Sequence, residues 1–241
     1  MAWMLPADLR RAEAEAVEAI AAALASQAKG FWTAEFRFEG LRILPVALRL
    51  LAALTPTHAD ARLVFPDAGA AALAKRDAAE QASGITELSG IKRLQQADGG
   101  SDGLFVLVAP TPADYEDVEA VCALHRGSVV LLNGKLEDAA VGIGTVARER
   151  RKGFLSSWQS AYALIPTGDG ALRRAFPQDW QLYRRDPDGY RFVQDFEAKP
   201  DAEQMADALD GEGGGVARGL KAVDRLIEGC LLYTSPSPRD S

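Results

Sequence analysis

Cysteine and histidine are scarce in this 241-residue chain: Cys122, Cys230, His58 and His125 are all it has of either. No pair of them has metal-ligand spacing, so no metal site is expected. Two distant cysteines make no disulfide framework, which points to a reducing compartment. Long apolar runs are also missing. Nowhere do about eighteen apolar residues follow one another, so no transmembrane segment is expected. An excess of basic residues is absent as well. The net charge is −7, whereas a general nucleic-acid binder is basic overall, so no nucleic-acid partner is expected. A local basic patch is compatible with that background. The start, MAWMLPADLRR, has no apolar core behind its charges and is not a secretory signal. Glu13, Glu15 and Glu18 make it too acidic for a clear transit peptide. No nucleophile–base pair and no paired carboxylates stand out, so no catalytic residue is assigned and no cofactor is called for.

What is present is a sizeable core. Apolar residues make up 48% of the chain, ample for one large domain. Leu9, Ala12, Ala16, Ile20 and Leu24 recur at helical steps within Pro6–Ala28, and Lys29-Gly30 closes that helix. Phe31–Phe38 alternates, with Trp32, Ala34, Phe36 and Phe38 on one face. It reads as a strand with one polar face or as an edge strand. Leu41–Leu54 is an apolar helix with Pro45 near its start. Ala61–Phe65 is a short strand, and Asp67 can cap a helix over 68–79. Residues 84–94 give a short strand and then a turn of helix, followed by a surface loop over 95–102 with Gly99-Gly100. Leu104–Ala109 and Ser128–Leu132 are continuous apolar strands. The helix between them, from Thr111 or Pro112 to Leu124, turns Val118, Val121 and Leu124 inward. Strand, helix, strand of this kind is a parallel βαβ unit with a right-handed crossover.

After Phe154 the pattern changes. Short strand candidates at 158–165, 171–176, 180–184 and 190–196 are separated by turn signals, which reads as an antiparallel meander. A last helix follows over 201–209. The fold class expected is therefore α/β, a three-layer, mostly parallel sheet with an antiparallel C-terminal strand extension. Residues 5–210 form the domain, 211–229 a linker and weak helix, and 230–241 a non-native or disordered tail.

The most loaded segment is 128–158. A buried strand ends at Leu132, Asn133-Gly134 turns, Gly142 and Gly144 space a loop, and Arg148, Arg150, Arg151 and Lys152 form a basic cluster. At the carboxyl edge of a parallel sheet, Asn133 and Lys135 would form a polar lip for an anionic ligand. The alternative is that Asn133-Gly134 only makes a tight left-handed turn. Gly142-x-Gly144 is a weak nucleotide signal, because position 147 is Ala147 where a full fingerprint has glycine. The basic cluster is either a solvated face or a docking patch for an acidic partner, a phosphate or an anionic membrane surface. Arg173 and Arg174 would enlarge that patch if the fold brings them close. Trp158, Tyr162, Phe176, Trp180, Tyr183 and Tyr190 concentrate aromatic area, as a core or as a partner surface. Cys122 reads as a small buried apolar residue.

Several blocks agree in order and spacing with one family. VLLNGKLEDAAVGIG, RERRKGFLSSWQSAYALIP, ALRRAFPQDWQLYRRDPDGYR and FEAKPDAEQM carry the likeness, with EFRFEGLRILPVALRLL and LFVLVAPTPADYEDVE upstream. Over residues 5–210 the chain resembles the plastid and cyanobacterial family called domain of unknown function nineteen-ninety-five. The resemblance implies a chloroplast location, in the stroma or peripheral to the thylakoid. Members of the Low PSII Accumulation type are associated with assembly of photosystem II, and a related domain is fused to a plastid adenylate kinase. Photosystem subunits or other plastid proteins are thus the partners implied, in a non-enzymatic role. The alternative reading is a protein or enzyme that binds a nucleotide or phosphorylated small molecule through the loop after Leu132. The lack of a clear transit peptide departs from a plastid precursor.

Overall fold

The computed structural model describes residues 4–137 and 153–213. The loop carrying Gly142, Gly144 and the basic cluster, and all residues from 214 onward, lie outside the described residues.

The first helix, α1 (Leu9–Ser26), starts where the Asp8 carboxylate accepts a hydrogen bond from Arg11 N at 2.9 Å, an N-cap that satisfies one of the helix's free donors. Its buried stripe is Ala12, Ala16, Ala19, Ile20 and Ala23. Small side chains there let the helix lie close to the sheet. Strand β1 (Phe31–Phe36) buries Trp32, Ala34 and Phe36. The chain continues through α2 (Ile43–Leu54), β2 (Arg62–Phe65), α3 (Ala68–Asp77), β3 (Ile85–Glu87) and α4 (Leu88–Asp98). Then come β4 (Leu104–Val108), α5 (Tyr115–Leu124) and β5 (Ser128–Leu132). Strands β6 (Trp158–Pro166), β7 (Gly170–Ala175), β8 (Trp180–Asp186) and β9 (Gly189–Phe196) precede α6 (Ala202–Gly213).

The nine strands of the described residues form one sheet in the order β3-β2-β4-β5-β1-β6-β7-β8-β9. From β3 to β6 every pairing is parallel; from β6 to β9 every pairing is antiparallel. Strand β6 joins the two halves. The expected three-layer α/β sheet with an antiparallel extension is the architecture observed. Alternation along each strand splits the core in two. Val106, Val108, Val130 and Leu132 pack with α1, α2 and α3. Phe105, Leu107, Val129 and Leu131 pack with α4 and α5. A third cluster, Ala163, Leu172 and Trp180, meets Phe196 and Met205 beneath α6. The two outer strands differ. β3 spans three residues. In β9, Leu182 faces Gln194 and Tyr183 faces Phe192, so Val193 is an extra residue in the ladder.

Four expectations need correction. β1 is not an edge strand; it lies between β5 and β6. Helix α4 runs to Asp98, through residues read as a loop. Gln95 is buried in it, with Nε2 donating to Ser101 Oγ at 2.8 Å and to the Val121 carbonyl at 2.9 Å. Those bonds make a polar residue tolerable inside. Leu124 is exposed rather than inward, because α5 ends there and His125 takes the buried place. The last helix continues to Gly213, beyond Leu209 and into the glycines read as linker.

Candidate functional site

In a parallel sheet, a crevice opens at the carboxyl ends of two neighbouring strands whose connections leave toward opposite faces. Here that point lies between β2 and β4. The connection after β2 carries α3 on one face, and the connection after β4 carries α5 on the other. A cavity of about 450 Å³ sits there, within the usual range of about 300–1,000 Å³ for ligand pockets.

Local sequence builds its walls. After β2, Phe65-Pro66-Asp67 turns the chain into α3, and Asp67 Oδ1 accepts from Ala70 N at 2.9 Å. After β4, Ala109 holds a left-handed backbone with φ +49°, an uncommon state for a residue with a Cβ. Thr111 and Asp114 then form a capping box around Pro112. Asp114 Oδ2 accepts from Thr111 N at 2.7 Å and from Thr111 Oγ1 at 2.8 Å. The first turn of α2 supplies Ile43 and Leu44. Leu73 stands on the rim, 41% exposed.

Among the described residues, the lining is apolar but for Thr111 and two carboxylates, Asp67 and Asp114, and includes no lysine, arginine or histidine. Arg42 and Lys135 are exposed neighbours outside the lining. A second cavity of about 360 Å³ opens along the same edge, beyond β1 and β6. It is walled by Leu9, Phe38, Leu41, Leu164 and Tyr190, with Asp8 and Glu39 at its margin.

The residues singled out from sequence fall elsewhere. Asn133 is left-handed, φ +51°. Its Oδ1 accepts from Phe36 N at 2.6 Å and its Nδ2 donates to the Phe36 carbonyl at 2.9 Å. Lys135 is exposed, and its backbone N–H donates to the Pro110 carbonyl at 2.8 Å, beside the crevice wall. Gly142, Gly144, Arg148, Arg150, Arg151 and Lys152 lie outside the described residues. Arg173 adds nothing to a surface patch. It is buried, ion-paired with Glu15 of α1 and hydrogen-bonded to Gln181. Arg174 is only partly buried and bonds the Gln178 carbonyl. Of the aromatics, Tyr162, Trp180 and Tyr183 are core, whereas Tyr190 is half exposed at the second cavity. Cys122 is buried, and burial pushes its thiol up to about 12. Burial likewise drives the His125 imidazole below its ordinary value.

The crevice draws on three separate segments and matches no motif. Its only sequence signals were the caps, Pro66-Asp67 and Thr111-x-x-Asp114, each directly after a buried strand. Among the described residues, no group of three or more His, Cys, Asp or Glu could hold a metal ion, and no helix is long and apolar enough to cross a membrane. No solved structure matches the chain. A family model does match, over residues 6–207, and it spans both the parallel half with its crevice and the antiparallel extension. The chain belongs to the family described as Domain of unknown function (DUF1995).

Proposed function

We propose that the protein is a non-enzymatic binding factor of the plastid, in the stroma or peripheral to the thylakoid, serving biogenesis or maintenance of the photosynthetic apparatus. In this reading it holds a client protein in the crevice between β2 and β4. The plastid setting and the photosystem II connection rest on the resemblance to the Low PSII Accumulation type. The binding role rests on the crevice itself: a preformed apolar cavity where the connections diverge, with Leu73 exposed on its rim. An apolar pocket with an exposed anchor at its lip suits a protein segment that inserts a side chain. Asp67 and Asp114 are engaged as helix caps, which fits positioning better than proton transfer.

The alternative, a nucleotide or phosphorylated ligand, finds less support here. Two carboxylates already occupy the helix N-termini where a phosphate would sit. The Asn133 carboxamide is committed to Phe36.

The test is affinity purification from plastid extract with the tagged wild-type protein, Ala70→Phe and Leu73→Ser. Ala70→Phe fills the crevice, and Leu73→Ser removes an exposed anchor without touching the core. Photosystem subunits are expected with wild type and lost with both variants at unchanged thermal midpoints. Equal recovery by all three, or a wild-type protein that carries only a nucleotide, overturns the reading.

A further inference from the structure

We infer that the crevice recognises a basic residue flanked by apolar ones in an extended segment of the client. This rests on the client-binding reading above and names the chemistry of what is bound.

The charge pattern carries it. Among the described residues, every charged side chain lining the cavity is a carboxylate, and both stand among Ile43, Leu44, Phe65, Ala70, Leu73, Val108 and Ala109. Each acid spends one named oxygen on its helix: Asp67 Oδ1 on Ala70 N, Asp114 Oδ2 on Thr111. No described residue forms an ion pair with either. An anionic or purely apolar occupant would press these carboxylates into a drier setting with no counter-charge, which is costly. A lysine or arginine supplies the missing charge, and its aliphatic stem suits the apolar walls. Arg42 and Lys135, exposed on the flanks, disfavour further positive charge outside the crevice. The match is therefore one basic residue between apolar neighbours, rather than a polybasic run. Complementarity of this kind sets partner choice and association rate.

The probe is a short fluorescein-labelled peptide with a single lysine between leucines, followed by anisotropy. Its counterparts carry glutamate or serine in place of the lysine. Asp67→Asn/Asp114→Asn removes both charges while each side chain keeps an amide oxygen able to accept from Ala70 N and from Thr111. Glu203→Gln/Asp207→Asn on exposed α6 makes the same change in net charge away from the crevice. The lysine peptide is expected to bind wild type and the α6 variant alike, and about tenfold more weakly to Asp67→Asn/Asp114→Asn, the loss of one good charge contact. The glutamate peptide is expected not to bind. Equal weakening by the α6 variant, or none by the crevice variant, overturns the inference. If Ala70→Phe abolishes binding of all three peptides while the charge variant changes nothing, the crevice stands as the site and only its basic preference falls. If Ala70→Phe leaves binding intact, the client-binding reading itself fails.

Discussion

The Asn133 carboxamide pairs with both backbone groups of Phe36, accepting from its N–H at 2.6 Å and donating to its carbonyl at 2.9 Å. One side chain thus continues the β1–β5 ladder past the last residue of β5, where the backbone of Asn133 has already turned left-handed.

Asn133→Ala removes both bonds and leaves a methyl group in a left-handed backbone. At about 1 kcal/mol per hydrogen bond and 1–2 for the backbone, the expected loss is about 3–4 kcal/mol in urea unfolding. Unchanged stability would return Asn133 to the role of a ligand-facing lip.

The crevice wall makes an opposite prediction. Ala109 sits at φ +49°, and glycine carries no Cβ penalty there. After the entropy that glycine adds to the unfolded chain, Ala109→Gly is expected to stabilise the fold by about 0.5–1 kcal/mol. A lower denaturation midpoint would show that the Ala109 methyl packs better than its backbone conformation suggests.

His125 gives the fold a pH dependence. Its ring stacks on Phe105 at 3.9 Å, with Nδ1 at 2.9 Å from Ser101 Oγ and Nε2 at 3.1 Å from the Gly103 carbonyl. A carbonyl only accepts, so Nε2 carries the proton and Nδ1 accepts from Ser101. Burial holds the folded pKa below the ordinary value. Below about pH 6.5 the unfolded chain therefore binds a proton that the fold refuses, and stability falls as pH drops from there toward the folded pKa. Urea midpoints at pH 8 and pH 5 are expected to differ for wild type and to converge for His125→Gln. An equal drop in both would assign the effect to other groups.

The ion pair beneath α1 is a fourth target. Arg173 is 8% exposed and Glu15 24%. Arg173→Met strands the glutamate against the sheet and is expected to cost about 3 kcal/mol. Glu15→Met/Arg173→Met is expected to recover most of that loss, since two packed apolar chains leave no stranded charge. A double variant as unstable as the single one would show that Gln181 and Tyr183, which share the network, need the arginine itself.

Trp180 packs in the third core cluster with Leu172 and Ala163, under Phe196 and Met205. Lys199 Nζ lies 5.3 Å from its ring centroid. Trp180→Ala is expected to lower stability by about 3–5 kcal/mol. Intact stability with lost partner recovery would make it an interface residue.

Much of this architecture was legible because burial writes itself into short patterns. LFVLV and SVVLL are apolar on both faces, as strands covered by two layers of helix must be. The place of β1 was not legible, and the reason is local. Its second face carries Phe31, Thr33 and Glu35, a mixed set that resembles an edge. Among the described residues, that face is covered near Phe31 by Phe154, just before β6, and by Trp158, the first residue of β6. Glu35 is balanced by Arg37 and Lys199. Gln95 misled in the same way, since its polarity hid a partner in Ser101. Arg173 looked like a surface charge because its partner, Glu15, lies far away along the chain. The crevice escaped notice because strand order brings its segments together, and no single stretch shows it.

The extra residue at Val193 bears on what happens when many copies meet. A long outermost strand is a ready seam for fibril growth, since a neighbouring molecule can extend the ladder indefinitely. Growth needs an unbroken row of evenly spaced donors and acceptors. Val193 breaks that row midway along β9 and twists the strand, while the three residues of β3 offer too little length at the other end. Among the described residues, each end of the sheet thus offers a neighbouring molecule only a short or interrupted ladder.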